Sequence, residues 1–111
     1  MRPGSHYRIE YESCGNSPVR LTQRLEEIDQ VLKFAKENLK PYSEIFVACL
    51  GDGVDFGNFN CEVSPEGQAT ITVHAHQGFI STGISLEQAL DVLAYWLPTQ
   101  ARTPDIRWAA Q

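Results

Sequence analysis

Two clusters in this chain have the residue types that chemistry needs. One is Gly51-Asp52-Gly53-Val54-Asp55, inside "CLGDGVDFGNF" at residues 49–59; the other is His74-Ala75-His76. Aspartates beside glycines can hold calcium, but an EF-hand-type loop needs more oxygen ligands and a closing glutamate at a fixed interval. Glycines can cradle a phosphate, but no Gly-Lys-Ser/Thr follows, and the stretch leads into a strand rather than a helix N-terminus. Two histidines two residues apart on a strand point to one side, as some metal ligands do. Their expected cross-strand neighbours, Asn58 and Phe56, supply no good third ligand.

The thiols fare no better as nucleophiles. Cys49 and Cys61 fall at core positions, where a thiol acts as a small hydrophobe. Cys14 stands at a strand end with no base identifiable beside it. An odd number of cysteines without metal-type spacing reads as free thiols in a reducing compartment. No paired carboxylates mark a cleft. The expectation is therefore no catalytic residue, no metal and no cofactor, with a small metal protein or enzyme built on His74 and His76 as the alternative.

The elements that position these residues follow from length and periodicity. The 111 residues suffice for one domain over 1–111, with 42% hydrophobic and 21% charged residues. The net charge of −5 and the scattered basic residues argue against direct nucleic-acid binding and suit a basic partner. No apolar run is long enough to cross a bilayer, and "MRPGSHYRIE" lacks the apolar core of a signal peptide. A cytoplasmic protein is expected.

Tyr7, Ile9 and Tyr11 alternate with charged residues as in a half-buried strand, ended by Gly15-Asn16-Ser17-Pro18. Leu21, Leu25, Ile28, Leu32, Ala35 and Leu39 recur at helical spacing, with Thr22 as N-cap and Pro41 as stop. "EIFVACL" reads as a central strand. "FGNFNCEV" and "ATITVHA" form a hairpin about Pro65-Glu66-Gly67, which pairs Cys61 with Ile71 and Phe59 with Val73. Read as a five-residue turn, Gly51–Asp55 sets Leu50 opposite Phe56, Val47 opposite Phe59 and Ile45 opposite Cys61. Ser85 and Gln88 open a second helix as a capping box, with Leu86, Leu90, Leu93 and Leu97 as its stripe and Pro98 as its end. Asp105–Trp108 reads as a short last strand. The sum is an α+β domain: an antiparallel sheet of about four to six strands with two helices on one face.

The other face then carries Phe46, Ala48, Leu50 and Phe56 beside Asn58, Asn60, Glu62, Thr70, Thr72, His74 and His76. An apolar patch rimmed by amides and histidines suits protein binding, unless the N-terminal strand or "HQGFISTG" covers it. Asp52 and Asp55 would add a charged rim beside Phe56. The candidate binding residues are Phe46, Asp52, Asp55, Phe56, Asn58, Asn60, Thr72, His74 and His76. The same face could close on a second copy of the chain, giving a homodimer.

In its order of elements, "FVACLGDGVDFGNF", the hairpin, "SLEQALDVLAYWL" and the closing "RTPDIRW", the chain resembles the Imm1 family of bacterial immunity proteins over roughly residues 19–108. The resemblance implies a small cytoplasmic protein that binds and neutralises the toxin domain of a contact-dependent or secreted competition system. It implies no catalytic residues. Many such toxins act on nucleic acid and are basic, which an acidic inhibitor complements.

Overall fold

The computed structural model describes residues 6–14, 18–51, 54–75 and 77–111, without the side chains of 51 and 54–56. Asp52, Gly53 and His76 lie outside the described residues, so the acidic tip and the histidine pair are described only in part. The chain runs β1 (His6–Ser13), β2 (Val19–Leu25), α1 (Ile28–Asn38), β3 (Ser43–Gly51), β4 (Val54–Val63), β5 (Ala69–His74), β6 (Gly78–Ile84), α2 (Leu86–Thr99) and β7 (Ala109–Ala110). All seven strands join one antiparallel sheet in the order β2-β1-β3-β4-β5-β6-β7. The domain is α+β, with more strands than the four to six expected.

The apolar alternation decides which face is covered. Tyr7, Ile9, Tyr11, Ile45, Val47, Cys49, Phe59, Cys61, Val63, Ala69, Ile71 and Val73 are buried in one cluster with Val31 and Ala35 of α1 and Ala89, Val92, Leu93 and Trp96 of α2. Both helices cover this face and touch each other. The expected stripes hold in part: Ala35, Leu39, Leu93 and Leu97 are buried as expected, while Val31, Ala89, Val92 and Trp96 take core places expected of others. Leu25, Ile28, Leu32, Leu86 and Leu90 pack at the margin, while small Ala35 and Ala89 let the helices approach the sheet.

The hairpin register around residues 65–67 is as the sequence implied. Cys61 pairs with Ile71 and Phe59 with Val73. Gly67 N–H donates to Ser64 O at 3.0 Å, closing a turn, and Gly67 takes φ +85°, where a side chain would be strained. The β3–β4 connection differs in detail. Val47 pairs with Phe59 and Ile45 with Cys61, but Leu50 pairs with Asp55 rather than Phe56, and Gly51 pairs with Val54. A bulge at Phe56 takes up the extra residue, and the pairing runs on until two residues remain.

Three other segments depart from expectation. Residues 19–25 form a strand, not the first half of a helix. Leu21 and Leu25 are four apart, which fits a helix face and equally one face of a strand. The helix starts later, where Gln30 Oε1 accepts from the N–H groups of Glu26 (3.0 Å) and Glu27 (3.1 Å). Residues 78–84 are β6, not a loop; Gly83 at φ +69° sits where the β5–β6 register shifts. The last strand is Ala109–Ala110 rather than 105–108. Pro98 stands inside the last turn of α2, which ends at Gln100 in the left-handed region. Ser85 does cap α2, accepting from Gln88 N–H at 3.0 Å.

Candidate protein-binding face

The second face of the sheet carries neither helix. One row of paired residues crosses all seven strands on it: Thr22, Glu10, Phe46, Asn60, Thr72, Ile80 and Ala109. Beside it run Arg24, Arg8, Ala48, Asn58 and His74. On the other flank lie Arg20, Glu12, Glu44, Glu62 and Thr70. β1 and β6 extend the sheet sideways instead of folding over Phe46, so neither segment expected as a possible cover takes that place.

Of the candidate residues, Phe46, Asn58, Asn60, Thr72 and His74 come together here. Phe46, Asn58, Asn60 and Thr72 are half-buried and His74 is exposed. Asp55 and Phe56 belong to β4, but their side chains lie outside the described residues, as do Asp52 and His76. Sequence reasoning missed Arg8, Glu10 and Glu12, which β1 brings beside β3, and Ile80 of β6. The alternation within "HYRIEYES" placed the β1 charges opposite its buried tyrosines; which strand they would flank was not readable from it.

The charges are unevenly satisfied. Arg8 Nε lies 3.7 Å from Glu10 Oε2, and Arg20 Nη2 lies 3.3 Å from Glu12 Oε2. Glu44 and Glu62 stand directly opposite each other with no ion pair among the described residues. Asn60 Nδ2 donates to Glu44 Oε2 at 3.3 Å. Like charges facing each other across strands disfavour the sheet. Glu10, Glu12, Glu44, Arg20, Thr22, Phe46 and Asn60 line a shallow cavity of about 490 Å³ at this end of the face. It has an aromatic wall and a carboxylate rim, the chemistry that receives a cationic side chain.

Burial, with Glu44 and Glu62 adding to it, pushes the Cys61 thiol up to about 12. Burial pushes Cys49 up to about 11, although Gln100 Nε2, 3.1 Å from its sulfur, partly offsets the rise. Both thiols are therefore neutral at physiological pH and poor nucleophiles. They pair four residues out of step, Cys49 with Gly57 and Cys61 with Ile45, and remain free. Among the described residues no three His, Cys, Asp or Glu side chains gather as metal ligands would. No helix among them is long and apolar enough to cross a membrane. The chain matches no protein-family model, no curated protein and no solved structure.

Proposed function

We propose that this chain is an immunity protein, which binds a toxin domain in the cytoplasm of the producing cell and neutralises it through the open sheet face. The observation that carries the reading is the pair Glu44 and Glu62, opposed without an ion pair among the described residues, beside half-buried Phe46 on that uncovered face. Folding does not call for such a pair, and a basic partner would complete it. The net charge of −5 supports the same partner, by drawing a cationic domain to the chain at long range. The resemblance of residues 19–108 to the Imm1 family supplies the toxin as that partner.

The test is neutralisation. The toxin domain encoded beside this gene should arrest growth when expressed alone, and growth should resume when the chain is co-expressed. Asn60→Arg with Thr72→Arg puts two bulky cations in the middle of the face. This double variant should fold, by circular dichroism, yet fail to restore growth. Arrest that persists with the wild-type chain would overturn the reading. So would full protection by the folded double variant. A dimer in solution that buries this face would replace the toxin with a second copy of the chain.

A further inference from the structure

On the helix side of the sheet, where α2 ends, lies a cavity of about 730 Å³. Its volume is in the range of sites for small organic molecules. Phe79, Trp96, Ile106 and Trp108 supply apolar wall, and among the described residues Arg102 and His74 are the ionisable ones lining it. We infer that this cavity takes a small organic carboxylate with an aromatic or branched apolar body, held by Arg102.

Two independent observations support a ligand here. The first is the state of Arg102. Its guanidinium carbon lies 3.5 Å from the centre of the Phe79 ring, so stacking holds the group in place. No carboxylate among the described residues is within ion-pair reach of it, although the chain has 14 acidic residues against 9 Lys and Arg. A stacked guanidinium keeps its in-plane donors free, and those fit a carboxylate in bidentate fashion. The second observation concerns the wall. Thr103 is 6% exposed and its Oγ1 has no hydrogen-bond partner among the described residues; Gln100 Oε1 has none among them either. Both belong to the stretch that carries Arg102. A wall with unmet hydrogen-bonding capacity gains by rearranging around a guest that brings polar atoms.

Among the described residues the cavity shares His74 with the open face, but the proposed contacts are to Arg102 and the helix-side wall, so this inference stands or falls without the toxin. Trp96 and Trp108 are the chain's two tryptophans, and both line it. Trp108 Nε1 donates to Thr103 O at 2.9 Å. Their indole N–H signals in a ¹H–¹⁵N correlation spectrum therefore report on the site. Benzoate is the probe, and benzamide is its neutral counterpart. Benzoate should shift both signals saturably, with Kd on the order of millimolar for a fragment of this size. Benzamide should bind about tenfold more weakly, because it loses the charge-assisted pair. Arg102→Gln changes an exposed residue and should keep the fold. It should bring benzoate to within about twofold of benzamide, while Arg102→Lys should retain part of the preference. Indole signals that do not saturate with benzoate would overturn the inference. So would equal binding of the two probes, or a preference that survives Arg102→Gln.

Discussion

The two faces of this one sheet are built on different terms. On the helix side, Tyr7, Ile9, Val47, Phe59, Cys61 and Ile71 are buried, with Trp96 and Leu93 pressed onto them. On the open side, Ala48 is the one described β3–β5 residue facing out that is fully buried, and its paired neighbours are Arg8 and Asn58. Hydrophobic burial dictates the first set, because removing those side chains from water drives folding. It places no such demand on the second. Opposed glutamates and a half-buried phenylalanine persist there without a folding reason, so that is where a binding function is to be sought.

The widest gap between the faces should appear in stability. Trp96→Ala or Phe59→Ala should cost about 3–5 kcal/mol, since each leaves a large cavity in a close-packed core. Thr72→Ala, on the next strand but facing out, should change stability by less than about 0.5 kcal/mol. Urea unfolding followed by circular dichroism measures both. Similar losses on the two faces would mean that the open one is covered in solution.

A second contrast is in alkali. The buried thiols have folded values of about 11 for Cys49 and about 12 for Cys61, against an ordinary value of 9.0. A thiol whose value rises on folding contributes fully below its unfolded value, and its contribution is lost as pH climbs toward the folded one. Stability should therefore hold to about pH 9 and then fall. The unfolded chain loses protons there while the folded one keeps them, which amounts to on the order of 1 kcal/mol for each buried thiol at pH 10. Replacing Cys49 and Cys61 by alanine should flatten that decline, measured against the variant's own stability at pH 7. An unchanged alkaline slope in the double variant would refute the assignment.

The same contrast explains how much of the molecule was legible beforehand. The covered face was readable because Phe59, Cys61, Ile71 and Val73 fit only one register; a one-residue slip would have buried Thr70 and Thr72. The α+β class and the capping box at Ser85 were readable for similar local reasons. Leu21 and Leu25 were not, because a spacing of four satisfies both periods. β6 was hidden by Gly78 and Gly83, which read as loop residues although Gly83 only accommodates a bulge. On the open face, Phe46, Asn60 and Thr72 were readable as a row. Their charged neighbours from β1 were not, because strand order depends on packing that no local pattern records.

The smallest expected effect on stability separates function from folding most directly. Glu62→Lys sets a cation opposite Glu44, turning a repulsive cross-strand pair into an attractive one. The sheet should gain a few tenths of a kcal/mol, since such pairs are worth roughly 0.2–1 kcal/mol. The same change moves the net charge from −5 to about −3 and places a positive group on the acidic rim. If a basic toxin domain docks there, association should slow at low salt, and its rate should depend less steeply on salt. Stability and binding would then move in opposite directions, as they do where a surface is kept for a partner rather than for the fold. Stopped-flow association at several salt concentrations, beside urea unfolding, reads both quantities. A more stable variant with unchanged association at low salt would place the toxin contact away from Glu44 and Glu62. A variant that is less stable would show that the two carboxylates do not oppose each other in the folded sheet.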